Sequence, residues 1–263
     1  MSNQLKAILE GSSSGAKLIM DAEAYAQQVL LQGKAIPWHD ATAYANHLGQ
    51  TVALLKPQAA VVAMDKMIKQ ELADNQTLVA AMREKRRSGF ALKTFMGDTT
   101  FKAAAGALVT TVAKTLHLPI VVQLPSPLEM LYLTARAALT AQADAEPEFD
   151  DDDAENAAIY YADWLRAFTD ADIDGLIFDE RAGDVAEAAY QPVKNTAEHY
   201  RWSIGVRREK QVRFSDPQVT IPVLPSDYWT SGQSSDAIAG VVFSEIAKDA
   251  VPETVLELLE KLC

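Results

Sequence analysis

Eight short runs rich in Val, Ile and Leu recur along the chain, and most of them stop at a charged or hydrogen-bonding residue. They are AKLIMDA ending near Asp21, AAVVAMD at Asp65, GFALKT at Lys93 and PIVVQLPS at Ser126. The later four are GLIFDE at Glu180, YRWSIGVR at Arg207, TIPVLPSD at Asp227 and AGVVFSE at Glu245. Continuously apolar strands alternating with helical stretches are the pattern of a parallel sheet buried on both faces. Eight such units predict an α/β fold, a (β/α)8 TIM barrel, as a single domain over residues 1–263 with extra N-terminal helices. In that architecture the active site lies where the strands end at their C-terminal side, so each strand end is a candidate site position.

Between the runs, LKAILEG near the start predicts a short helix, and two more are expected at about 22–32 and 40–54, joined by GKAIPWHD. Asp40 suits the cap of the second, because a short carboxylate accepts from free N–H groups. Residues 75–87 place Leu78, Val79 and Met82 at helical spacing and close on REKRRSG, with cations fitting a helix C-terminus. Further helices are expected at 99–116, 127–142, 154–171 and 183–199. VPETVLELLEKLC reads as an amphipathic helix opened by a proline. The connections after Arg207 and Asp227 are short for full helices, so the eightfold repeat is least clear in the last third.

Length and charge narrow the function. The 263 residues are close to the roughly 250 of one such barrel. A formal net charge of −12 opposes binding to nucleic acid, whose phosphates need a basic face, and to an anionic membrane surface. No apolar stretch approaches the roughly 18 residues of a spanning helix, and the N-terminus lacks the cationic start and apolar core of a signal peptide. A single cysteine, Cys263, excludes an internal disulfide framework. A cytoplasmic protein is expected, with a small-molecule substrate, no nucleic acid, no membrane, and a homodimer left open.

Nucleotide-binding and serine-hydrolase signatures of the forms GxxxxGK[ST], GxGxxG and GxSxG are absent, as is HExxH, and one terminal cysteine leaves no thiolate zinc site. No metal and no cofactor are expected. EPEFDDDDAE, residues 146–155, is either a calcium or magnesium site or a solvated acidic loop, and its spacing fits no EF-hand. His47, His117 and His199 fall mid-helix or before strands, where packing is the ordinary role. His39 differs, because Trp38-His39-Asp40 offers a stacking face and a proton carrier, or else a structural loop with Trp38 plugging the barrel edge.

At the strand ends, Lys93 would hold a substrate carboxylate or serve as acid or base, or be buried in an ion pair with Asp179 or Glu180. Gln123 and Ser126 stand in QLPSP, where two prolines fix polar side chains at the mouth. Asp179 and Glu180 are adjacent on a strand, so at most one faces the barrel axis, while the other braces a loop or pairs with an arginine. Arg207 would neutralise an anionic ligand. Tyr228 and Trp229, in the loop after the seventh run, would cover either the core or a ligand.

GLIFDERAGDV resembles the strand-plus-carboxylate motif of the form Ile-Gln-Ile-Asp-Glu-Pro-Ala-Leu in the C-terminal barrel of cobalamin-independent methionine synthase. VVQLPSPLEML resembles the fourth-strand turn of the same superfamily, which also holds uroporphyrinogen decarboxylase. The likeness extends over about residues 15–245. It implies a TIM barrel, with Asp179 at the position of an aspartate that helps bind the amino-acid substrate. The synthase's zinc needs a His-x-Cys segment on the sixth strand, a glutamate and a later cysteine. Here that stretch reads His199-Tyr200-Arg201-Trp202-Ser203-Ile204, without a cysteine. The decarboxylase branch works without metal, but its N-terminal arginine-rich segment has no counterpart, since no arginine precedes Arg83. The resemblance therefore implies a metal-independent lyase or decarboxylase acting on a small carboxylate or aromatic substrate. Lys93 or Arg207 would hold that substrate, Trp38 or Trp229 would stack on it, and His39, Asp179 or Glu180 would move protons. The alternatives are methyl or one-carbon transfer and a non-catalytic ligand-binding barrel.

Overall fold

The computed structural model describes residues 3–12, 15–85, 87–139, 147–231 and 238–262. Its strands are β1 (Ala16–Asp21), β2 (Ala59–Ala63), β3 (Ile120–Pro125), β4 (Gly175–Asp179), β5 (Ser203–Arg207), β6 (Gln211–Ser215), β7 (Gln218–Pro222) and β8 (Gly240–Glu245). They form one sheet in the order β7-β6-β5-β4-β3-β2-β1-β8. All pairings from β8 through β5 are parallel, whereas β6 runs antiparallel to both β5 and β7. Past the end of β7, Val223 bridges Phe243 of β8 in parallel, and the Leu224 N–H donates to the Phe243 carbonyl at 2.9 Å. The sheet thus nearly closes into a barrel.

Two expectations need correction. GFALKT is no strand: Phe90–Met96 is a helix that buries Leu92, Phe95 and Met96. The spacing i, i+3, i+4 of those three is helical, and Gly89 before them sits at φ 71, where a side chain would be strained. The strand missing from the eight apolar runs is β6, QVRFS. Only Val212 and Phe214 are buried there, while Gln211, Arg213 and Ser215 face solvent. β5, β6 and β7 form an antiparallel meander, so the β/α repeat fails at this point.

Inward and outward positions alternate along the strands, as a pleated backbone requires. Outward residues such as Leu18, Met20, Val62, Val122, Leu176 and Phe178 pack against the helices. Inward residues Ile19, Val61, Val121, Ile177, Phe214, Ile221 and Phe243 form a separate interior cluster. That cluster also includes Leu5 and Leu9 of the N-terminal helix Gln4–Glu10, which closes the floor of the barrel. The Asn3 amide donates to the carbonyls of Asp174 and Arg201, and the Asp174 carboxylate accepts from the N–H groups of Gln4, Leu5 and Ile120. These partners stand at the starts of β3, β4 and β5, so the helix is fastened to the strand N-termini. Gly175 is required there, since a Cβ would come within 2.8 Å of both Leu5 Cδ2 and the Ser203 carbonyl.

No helix of the described residues is long and apolar enough to cross a membrane. The helices expected at 22–32, 40–54, 99–116 and at the C-terminal tail are found at Glu23–Val29, Ala41–Leu55, Thr99–Thr115 and Pro252–Leu262. Cys263 and residues 140–142, the end of one expected helix, lie outside the described residues.

Candidate functional site

The same alternation that fills the interior with apolar groups brings charged ones inward at the last turn of the strands. Asp21 ends β1, Gln123 is near the end of β3, Asp179 ends β4, Arg207 ends β5 and Glu245 ends β8. Register aligns them, with Asp21 opposite Glu245, Gln123 opposite Ala63 and Asp179 opposite Arg207. The result is a polar ring at the mouth, one layer above the apolar interior.

The ring is bonded from strand to strand. Arg207, buried, gives Nη1 to the Gln123 Oε1 at 3.1 Å and Nη2 to Glu245, while its guanidinium lies 4.6 Å from the centroid of Phe243. Gln123 in turn donates from Nε2 to the Asp65 Oδ1 at 3.3 Å. Arg181 forks onto Asp179 with contacts of 3.0 and 2.6 Å and reaches Glu245 at 3.1 Å. Lys66 holds Asp21 with its Nζ 2.9 Å from both carboxylate oxygens. Asp65, Lys66 and Lys69 belong to helix Met64–Asp74, which starts directly from β2.

These contacts sort the carboxylates. Burial would raise the Asp21 pKa, but the Lys66 ammonium and the Glu23 N–H outweigh it and hold the group below the ordinary carboxylate value. Burial likewise acts against ionised Asp179, and the Arg181 guanidinium overrides it. Asp65 has no such partner: Lys69 stays 3.9 Å away. Burial, reinforced by the Asp21 charge, pushes its carboxyl up to about 6. Two ionised acids, Asp21 and Asp179, one acid poised to exchange a proton near neutral pH, and two lysines therefore share the rim of the mouth.

A cleft of about 270 Å³ opens on this group, lined by Asp65, Lys69, Pro125, Glu129, Asp179 and Arg181, with Ala182 and Glu209 at its edge. Glu129 stands one turn into helix Pro127–Ala138, and burial raises its pKa as well. Behind β3, the Tyr161 hydroxyl donates to the Pro125 carbonyl at 2.9 Å and fixes the cleft wall. Behind Asp21, the Glu23 carboxylate takes the Tyr44 hydroxyl at 2.8 Å and the His47 Nε2 at 2.9 Å, all three buried.

The sequence-predicted residues divide. Gln123, Asp179 and Arg207 come together in the mouth. Glu180 points away from the axis, accepting from Tyr190 at 2.9 Å and from Arg208 at 3.3 Å, and burial raises its pKa. It braces the loop after β4. Ser126 caps helix Pro127–Ala138 by accepting from the Glu129 N–H at 3.1 Å.

The remaining four are elsewhere. Lys93, on a helix instead of a strand end, stands outside the barrel in a different cavity. Trp38 is buried in the outer helical layer and stacks on Tyr44 at 4.9 Å, which leaves it no ligand face. His39 is largely exposed, with Nε2 3.1 Å from Glu71. The expectation that Trp38 and His39 share a cavity with Lys93 is therefore corrected, because the loop holding them packs on the helices and not over the strand ends. Trp229 is fully buried against the outer face of β1 and β8, and its Nε1 donates to the Ser244 Oγ at 2.8 Å. It covers core and no mouth.

Asp21, Asp65 and Glu245 are legible as strand ends, yet the sequence reading assigned them no role, nor Lys66 and Lys69. The usable signal was parity: Asp21 stands two positions after inward Ile19, and Glu245 two after inward Phe243. Asp150 to Asp153 form a capping box at the start of helix Asp151–Trp164, where carboxylates suit the positive end of the helix. Among the described residues no group of three or more His, Cys, Asp or Glu is arranged to hold a metal. No protein-family model, curated protein or solved structure matches the chain.

Proposed function

We propose that this protein is an acid–base enzyme, a lyase or decarboxylase, that takes a small polar carboxylate into the mouth of a TIM-type barrel. Its fold is then a (β/α)8 barrel with a reversed sixth strand, akin to the superfamily of cobalamin-independent methionine synthase and uroporphyrinogen decarboxylase. One observation carries it: Asp65 is buried at the cleft beside the Asp21 charge, which together push its carboxyl up to about 6. A general acid or base works best when its pKa lies near the working pH. Lys69, half exposed and 3.9 Å from Asp65, is the cation free to meet a substrate carboxylate beside that acid. Glu129 and Glu209, also in the cleft lining, favour a substrate whose other groups donate hydrogen bonds.

In a decarboxylation the bond between the carboxyl carbon and its neighbour breaks, CO2 leaves, and the electron pair left on carbon takes the Asp65 proton. Solvent then reprotonates Asp65. Asp21 stays ionised through Lys66 and holds the Asp65 pKa up, while Arg207 and Gln123 fix the Asp65 carboxyl in place. The aromatic branch of the expected substrate class loses its support, because Trp38 and Trp229 are both core.

The test incubates the protein with a panel of small carboxylic acids and follows new products and CO2 by mass spectrometry. A product made by the wild type and reduced about 10²–10⁴-fold by Asp65→Asn is the expected outcome. Turnover unchanged in that variant would refute the assignment.

A further inference from the structure

A cavity of about 450 Å³ lies outside the barrel, between helices Phe90–Met96, Pro127–Ala138 and Asp151–Trp164. Three cations converge on it: Lys85, Arg87 and Lys93. None of them has an ion-pair partner among the described residues, in a chain whose formal net charge is −12. Among the described residues the one carboxylate in the lining is Asp153, which accepts from the Ser88 hydroxyl at 3.3 Å. Three positive groups against one negative group leave a surplus of two. Clustering cations in this way costs Coulomb energy, which a bound dianion offsets.

The walls have a different character. Leu92 and Leu131 are buried beneath the cavity, and the rings of Phe90 and Tyr160 are half buried at its sides. Lys85 lies 5.2 Å from the centroid of Phe90. A cavity of a few hundred cubic ångströms with an apolar floor, aromatic sides and a few convergent charges is the usual form of a small-molecule site.

We infer that this cavity binds a phosphate monoester with a flat apolar body, its dianionic head set among Lys85, Arg87 and Lys93 and its ring against Phe90 and Tyr160. A phosphate monoester carries about two negative charges at neutral pH, which matches the local surplus, and three acceptor oxygens for the three cations. The site shares no lining residue with the barrel mouth, so its occupancy does not depend on the reaction proposed there.

Phenyl phosphate is the minimal probe, with phenol and inorganic phosphate as the two halves. Calorimetric titration of the full chain should give saturable binding of phenyl phosphate tighter than about 1 mM. Either half alone should bind at least about tenfold more weakly. Arg87→Gln with Lys93→Gln, both exposed positions, should weaken binding at least about tenfold without moving the melting temperature. Asp153→Asn, which removes the competing carboxylate, should tighten it. Phenol binding as well as phenyl phosphate, affinity unchanged in these variants, or no saturable binding would each overturn the inference.

Discussion

Asp65 is the residue on which the chemistry of the mouth turns, and its environment makes a prediction that needs no substrate. A rise from the ordinary 3.8 to about 6 means that the folded state binds the proton more tightly than the unfolded chain. The stability contributed by protonated Asp65 is full below about pH 4 and lost as pH climbs through about 6, where ionisation leaves a buried and weakly partnered charge. The difference corresponds to about 3 kcal/mol. Asparagine keeps the oxygen that accepts from Gln123 and cannot ionise. Denaturant unfolding should therefore show Asp65→Asn matching the wild type near pH 4 and exceeding it by up to about 3 kcal/mol at pH 8. Equal destabilisation at both pH values would mean that the carboxylate is a structural partner and not a strained acid. Asp21 and Asp179 follow the opposite sign. Held below the ordinary value by Lys66 and Arg181, they stabilise the fold above that value and lose the contribution as pH falls.

Elements differ in how plainly the chain announces them. β1, β2, β3, β4 and β8 are buried on both faces and so appear as unbroken apolar runs, which anyone reading the sequence finds. β6 is buried on one face only, and QVRFS with its alternating exposure carries too few apolar residues to stand out. GFALKT fails in the other direction. GFALKT stops at Thr94, before Phe95 and Met96 complete the helical spacing with Leu92, so the run by itself reads as either strand or helix. Reading that helix as a strand is what placed Lys93 at the mouth. The polar ring was half legible: Gln123, Asp179 and Arg207 follow from strand ends, whereas Lys66 and Lys69 come from the helix that leaves β2, which no strand rule reaches. The floor of the barrel was not legible at all, since a short N-terminal helix gives no sign of what it covers. Leu5 is fully buried within it. Leu5→Ala should lower unfolding stability by about 2–5 kcal/mol in chemical denaturation, the range for a truncated core leucine. A loss under about 1 kcal/mol would show that the helix merely rests against the strand N-termini.

At the scale of the whole molecule, the barrel is a sleeve of apolar layers closed below by a helix and above by charge. Its lower half is sealed by Leu5 and Leu9, so the polar groups of the upper rim have only the cleft side from which to meet solvent or substrate. The low polarity beneath them and the register that aligns Asp21, Asp179, Arg207 and Glu245 create one set of paired charges and one acid left over. Proton transfer at the mouth depends on that leftover acid, Asp65. Its direct measurement is a carbon-detected NMR titration of the aspartate carboxyl groups, with the Asp65 resonance assigned by its loss in Asp65→Asn. The expected result is an Asp65 midpoint near 6 that moves downward in Asp21→Asn, because the neighbouring negative charge is gone while Lys66 remains. An Asp65 midpoint at the ordinary carboxylate value, or one indifferent to Asp21→Asn, would contradict the assignment of the mouth as a proton-transfer site.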